Sequence, residues 1–243
     1  MLKLRSSPMF SLNFIKYFGV FAFALTISSA CRFWQKNAGE GASPTPFAAE
    51  ELISEIPFST REPEIFQVEI VITTGGAEKK IFAAKSGARR RFDYNAGAKN
   101  QVSAVQTDKN YLIIESKKVY AETATGGAAT ENWTDFLTVE WLNARRDAKF
   151  FKLDAENNLA KYRVVFGDEE TAKSESIIFV DENAGLPVRQ EFYSLDSGQR
   201  ALTMTVELKN LRLEAADDLF TIPANYRKAS PEELRTILKK ENE

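Results

Sequence analysis

Glu64-Ile65-Phe66-Gln67-Val68-Glu69-Ile70-Val71-Ile72 alternates in character with every residue. Phe66, Val68, Ile70 and Ile72 fall on one side of an extended chain, while Gln67 and Glu69 fall on the other. That period of two belongs to a strand with one buried face and does not suit a helix. Gly75-Gly76 follows as a turn, and a second strand is expected through residues 80–84.

Working outward, the same reading repeats. Gly87 breaks the second strand, and Arg89-Arg90-Arg91-Phe92-Asp93-Tyr94 reads as a third. Further strands are expected at 101–106, 111–115, 118–121, 148–153, 161–166, 174–180 and 186–195, with turns at 181–185 and 196–198. Short strands separated by turn residues predict an antiparallel meander. The last strand changes phase. Met204, Val206 and Leu208 share one side, whereas Leu211 and Leu213 fall on the opposite one. A bulge near Lys209-Asn210 reconciles them and points to a strongly curved sheet.

Helices are expected at three places. A short amphipathic one carries Phe47, Leu52, Ile53 and Ile56 and ends at Pro57. A second runs from Glu131 to Asn143 with Trp133, Phe136, Leu137 and Trp141 as an apolar stripe. That stripe either packs on the sheet as ordinary core or closes the mouth of a cavity. The third begins at Ser230-Pro231, where Ser230 is the N-cap and Glu233 completes a capping box.

The N-terminal segment reads differently. Lys3, Arg5 and Lys16 precede an uncharged apolar run from Tyr17 to Ile27, and Ser28-Ser29-Ala30 then leads to Cys31. A basic start, a short apolar stretch and small residues make a secretory signal over residues 1–30, with Met9 an alternative start to Met1. Ser29-Ala30-Cys31 fits the pattern in which a cysteine receives diacylglycerol before cleavage. Ser28 departs from it, because an aliphatic residue is usual there, and ordinary signal peptidase would cut the same bond. Cys31 is the single cysteine of the chain. It has no intramolecular partner in an oxidising compartment, which favours lipid attachment over a free thiol. Residues 31–46 then form a lipidated cysteine and a Gly/Pro-rich tether, and residues 47–243 a single domain.

Composition narrows the function. Without residues 1–30, 213 of 243 residues remain; the 32 basic residues fall by three against 34 acidic ones, for a charge of about −5. Such a domain has no electrostatic case for nucleic acid. The chain has no histidine, so Ser-His-Asp and Cys-His catalysis and the commonest zinc ligand are absent. No cofactor or metal set is indicated, and no catalytic residues are assigned.

Four stretches resemble the LolA/LolB-like superfamily of bacterial lipoprotein carriers and related envelope lipoproteins. They are residues 87–94, residues 109–120, Gly185-Leu186-Pro187-Val188-Arg189-Gln190-Glu191-Phe192-Tyr193, and Asp218-Leu219-Phe220-Thr221-Ile222-Pro223-Ala224-Asn225-Tyr226. The resemblance implies a mainly β, α+β fold: a strongly curved antiparallel half-barrel with helices covering its concave face. It also implies that this face takes acyl chains, lipids or lipoproteins. Phe66, Val68 and Ile70 on the sheet, with Trp133, Phe136 and Trp141 on the covering helix, are then the candidate ligand-binding residues, and Cys31 the lipid attachment site. Soluble carriers lack an anchor cysteine, so Cys31 favours a periplasm-facing, membrane-tethered protein, and Arg32, where some inner-membrane lipoproteins carry Asp, favours the outer membrane by analogy. Two other readings remain: a sensor or regulator that binds an envelope protein through the same sheet, and an enzyme working with carboxylates alone.

Overall fold

The computed structural model describes residues 51–123, 139–145, 147–196 and 199–241. The sheet and its covers belong to one compact unit, Pro46–Glu243. Among the described residues, thirteen strands form one open, curved sheet. They are β1 (Glu51–Ile53), β2 (Ile65–Thr74), β3 (Ala77–Ser86), β4 (Arg89–Tyr94), β5 (Val102–Gln106), β6 (Asn110–Ile114), β7 (Val119–Thr123), β8 (Ala148–Glu156), β9 (Leu159–Phe166), β10 (Ser174–Asp181), β11 (Leu186–Ser194), β12 (Ala201–Arg212) and β13 (Arg227–Lys228). One α-helix, α1 (Pro231–Glu241), follows.

The strand order, β1-β8-β9-β10-β11-β12-β2-β3-β4-β5-β6-β7-β13, is two consecutive meanders, β2–β7 and β8–β12, joined where β12 pairs with β2. Pairing is antiparallel except between β13 and β7. The β2–β3 hairpin turns on Gly75 (φ 57°) and Gly76 (φ 83°), the two positive angles of a tight primed turn that matches strand twist. The expected bulge is present. The β12–β2 register shifts between Lys209 and Arg212, and Asn210 takes φ 56°. The extra residue puts Leu211 back on the side of Leu208, where both pack on the Phe66 cluster, while Leu213 stays 58 % exposed.

Two helix expectations need correction. Residues 51–53 are not helical; they pair as an edge strand with Phe150, Phe151 and Lys152 of β8. Ile53 and Ile56 sit three apart, a spacing that mimics a helix face, but both reach their apolar cluster from extended chain, and Leu52 is 65 % exposed. Phe47 lies outside the described residues. Glu140–Ala144 is a 3-10 turn rather than the end of an α-helix, and 131–138, with Trp133 and Phe136, lie outside the described residues. The C-terminal helix forms where expected: the Glu233 N–H donates to Ser230 Oγ at 3.1 Å.

Cross-strand pairing sorts the side chains into two faces. On one, three apolar clusters follow each other across the sheet. Phe150, Tyr162, Val164 and Ile178 lie at the β8–β10 end, Phe66, Val68, Ile70, Ile81 and Phe92 in the middle, and Ile114, Val119 and Ala121 at the β6–β7 end. The first is covered by Ile53, Ile56, Phe58, Val139, Trp141 and Leu142, and the last by Leu234, Ile237 and Leu238 of α1. Helical cover is therefore narrower than expected: among the described residues, one α-helix lies over one end of the apolar face.

The other face is charged, and Arg163, Glu175 and Glu191 are buried on it. Arg163 stands 4.4 Å from the Phe151 ring centre, Arg189 4.9 Å from that of Phe179, and Arg200 3.4 Å from that of Tyr193. Glu175 pairs with Arg163 and Arg200, and Glu191 with Arg189. Long cationic side chains lie flat over apolar rings and keep their heads on carboxylates. Further along this face, residues 217–226 fasten onto β4: Arg89 pairs with Asp217 at 2.7 Å and lies over Phe220, and Arg91 donates to the Leu219 carbonyl at 3.1 Å.

Candidate functional site

The apolar face is where the sequence-predicted residues meet. Phe66, Val68 and Ile70 point to the same side of β2 and are buried in one cluster, at 1 %, 1 % and 0 % exposure. Their spacing of two is the cause, and Ala83 and Ile81 face Val68 and Ile70 across the β2–β3 ladder. The face is thus closed over these residues, not an open trough. Trp141 belongs to the neighbouring cluster. Its ring centre lies 5.6 Å from that of Phe166 and 6.2 Å from that of Phe192, and Phe192 packs on the Phe66 cluster. Trp141 therefore links the two clusters from above the sheet.

A small cleft, with room for about one water, reaches this face at the ends of β2 and β12. Its apolar wall is Phe66, Leu186, Pro187, Leu208 and Leu211. Its polar rim is Ser59, Arg61 and Glu62, on the segment that leads into β2. Ser59 N–H donates to the Gly185 carbonyl at 3.2 Å, which docks this segment on the β10–β11 turn. That turn is itself fixed by Asp181, whose carboxylate accepts the Asn183 N–H at 2.9 Å and whose carbonyl accepts the Gly185 N–H at 2.8 Å.

The charges at the rim are unequally committed. The Glu62 carboxylate accepts Lys85 Nζ at 3.1 Å and both terminal nitrogens of Arg90. Lys85 also stands 3.5 Å from the exposed Glu64. Lys85 and Glu62 are only 8 % and 13 % exposed, so each needs the other. On the middle of the apolar face, burial pushes the Tyr94 hydroxyl up to about 12.

Sequence reading found the apolar wall in part, through Phe66 and the phase change after Leu208. It missed Arg61, Glu62, Lys85 and Arg90. Lys85 sits in phase with Phe66 on β3, so a lysine on the buried side was the available signal that a carboxylate must approach from elsewhere. Cys31, Trp133 and Phe136 lie outside the described residues.

No protein-family model matches the sequence, and no curated protein matches it. Similar solved structures include an uncharacterized conserved protein from Thermus thermophilus, at 11 % identity over 68 % of this chain and 90 % of that one, with a TM-score of 0.40. They also include MucB, at 15 % identity and a TM-score of 0.40, over 68 % of this chain and 59 % of MucB. A LolA superfamily protein from Nitrosomonas europaea aligns at 13 % identity over 67 % of this chain and 92 % of that one, with a TM-score of 0.28.

Proposed function

We propose that this chain is an exported, membrane-tethered envelope lipoprotein that holds acyl chains, lipids or acylated polypeptides against the apolar face of its sheet. The tether is lipid on Cys31. One observation supports the reading most: three buried apolar clusters follow each other across one face of the sheet, and a small cleft opens beside Phe66. Hydrocarbon displaced from water gains roughly 25 cal/mol per Å² buried, so a surface of this kind takes up a chain without directional contacts. Because Phe66, Val68 and Ile70 are buried, a chain reaches them only as the side chains above them move aside. In this proposal Trp141 shifts with such a chain, and Trp133 and Phe136 complete the cover. The charged face, roofed by arginines on aromatic rings, offers no comparable surface.

The test has two parts. Native mass spectrometry of the detergent-free mature domain should find bound lipid, and a fluorescent fatty acid should bind saturably. Phe136→Ala should then weaken that binding more than it lowers Tm. The opposite order identifies a plain core, where such a change typically costs about 3–5 kcal/mol. If no acyl probe binds the unmodified domain, the carrier reading is abandoned for a regulator that binds an envelope protein through the same sheet.

A further inference from the structure

We infer that residues 54–64 form a displaceable strap that occupies the site of an acidic single-chain amphiphile, with Lys85 and Arg90 as the head-group cations; this rests on the lipid-binding reading above. These residues join β1, at the edge of the sheet, to β2 in its middle, and β8 to β12 lie between the two. The strap touches the apolar face on the way. Ile56 and Phe58 pack on the β8–β10 cluster, and the Phe58 ring centre lies 5.4 Å from that of Tyr162. Ser59 docks on the β10–β11 turn, and Glu62 reaches Lys85 on β3 and Arg90 on β4. One segment thus lays hydrocarbon on an apolar cluster and a carboxylate on two cations. Those are the two parts of a fatty acid or an alkyl phosphate.

Little backbone holds the strap down. Among the described residues, one backbone hydrogen bond ties residues 54–63 to the sheet, from Ser59 N–H to the Gly185 carbonyl, and Asn143 Nδ2 donates to Thr60 Oγ1 at 3.0 Å. Pro57 and Pro63 have no N–H to give. A segment so tied opens at lower cost than the strands beneath it. The cations, by contrast, belong to the ladder: Lys85 is paired with Phe66 on β2 and with Arg90 on β4. Lys85 is only 8 % exposed, and a cation so placed needs an anion whether or not Glu62 supplies it. Arg90 holds the two oxygens of Glu62 with its two terminal nitrogens, the fork that also grips a free carboxylate or phosphate. Phe58 and Glu62 are four residues apart, at most about 14 Å of extended chain, within the reach of a dodecyl chain. A cationic head is repelled by Lys85 and Arg90, and a neutral head that lifted Glu62 would leave both without their anion.

Carboxylate and phosphate heads share this chemistry, and the experiment separates them. Dodecanoate, dodecyl phosphate and dodecanol, each below its aggregation limit, are added to the detergent-free mature chain. Hydrogen–deuterium exchange of the unmodified chain reads the strap. Binding of one or both acids should speed exchange across residues 58–62, because the ligand puts the strap into water, whereas a ligand that docks beside the strap slows exchange there. Calorimetry then reads the head group. Glu62→Gln removes the competing carboxylate, so it should tighten one or both acids about tenfold relative to dodecanol even as it lowers stability. Adding Arg90→Gln to that variant should cancel the gain. The inference is overturned if the acids bind with exchange at 58–62 unchanged or slowed, or if folded Glu62→Gln gains nothing for the acids over dodecanol. Should Glu62→Gln not fold, the exchange result on the unmodified chain decides alone. If the unmodified chain binds none of the three, the lipid-binding reading itself fails and this inference goes with it. Binding of dodecanol alone would spare that reading and remove only the strap site.

Discussion

Tyr226 donates its phenolic hydrogen bond to the carboxylate of Glu115, across 111 residues of sequence. Glu115 also accepts from Ser103 Oγ at 3.2 Å and stands 3.4 Å from Arg91. One carboxylate thus ties the C-terminal segment to the end of β6. The bond and, after it, burial push the Tyr226 hydroxyl from 10.0 up to about 12. A raised acid stabilises the fold fully below its unfolded value, so this contribution is intact below pH 10 and is lost as pH rises towards 12. Tyr94, through burial, and Tyr193, through burial and then its bond to Glu191, share the window. Tyr226→Phe should lower stability by about 1 kcal/mol at pH 7 and flatten the fall between pH 10 and 12. Urea unfolding at pH 7 and 11 checks this; equal stability of the two proteins at pH 7 would show the bond to be without effect.

Glu62 carries a heavier burden. Lys85 lies nearly buried in phase with Phe66 and Val68 on the apolar face, and Arg90 sits beside it. Glu62→Gln leaves Arg90 without its carboxylate and Lys85 with only the exposed Glu64 at 3.5 Å, which should cost about 3 kcal/mol. Guanidinium unfolding measures it. A loss under about 0.5 kcal/mol, the range of an exposed pair, would mean that water reaches Lys85 freely.

Asn210 tests the bulge. Its φ of 56° suits glycine or asparagine and penalises a branched side chain. Asn210→Gly should change stability by a few tenths of a kcal/mol, and Asn210→Val should lower it by about 1–2 kcal/mol. Thermal unfolding of the pair decides; a valine variant as stable as the parent would mean that the strand can run without the bulge.

Cys31 tests the tether. Cys31→Ser should move the protein from the membrane fraction to the soluble periplasmic fraction in cell fractionation. Retention on membranes after a high-salt wash would rule out lipid as the anchor.

The sheet was readable wherever a strand had one wet face. Phe66 to Ile72 and the Leu208–Leu211 phase change declared their geometry directly, because alternation and its interruption are local properties. β1 was not readable. Three residues are too few to show a period, and only the free edge of β8 makes them a strand. β13 is shorter still, two residues paired in parallel with β7. The charged face misled in another way. Arg163 and Glu175 alternate like solvent-facing residues, yet they are 8 % and 5 % exposed, because aromatic rings lie beneath them and each neutralises the other. The cleft was invisible for a topological reason. Its walls come from residues 59–66, 186–187 and 208–211, and no local pattern records that these three pieces meet.

The place of β12 and β13 in the chain makes completion of the sheet a late event in folding. β2 has β3 on one side and only β12 on the other, and the β7 edge is covered by β13 with α1 over the apolar end beside it. A chain folded only as far as residue 200 therefore holds the β2–β7 meander and β8–β11 without β12, with bare hydrogen-bonding edges and uncovered valines and isoleucines. Such edges recruit other chains, and the long-range closure of β12 on β2 is slow to form. The last forty residues or so complete the sheet and cap it in a single stroke. Truncation there leaves the β2 and β7 edges bare, the condition that favours aggregation over a shorter working protein.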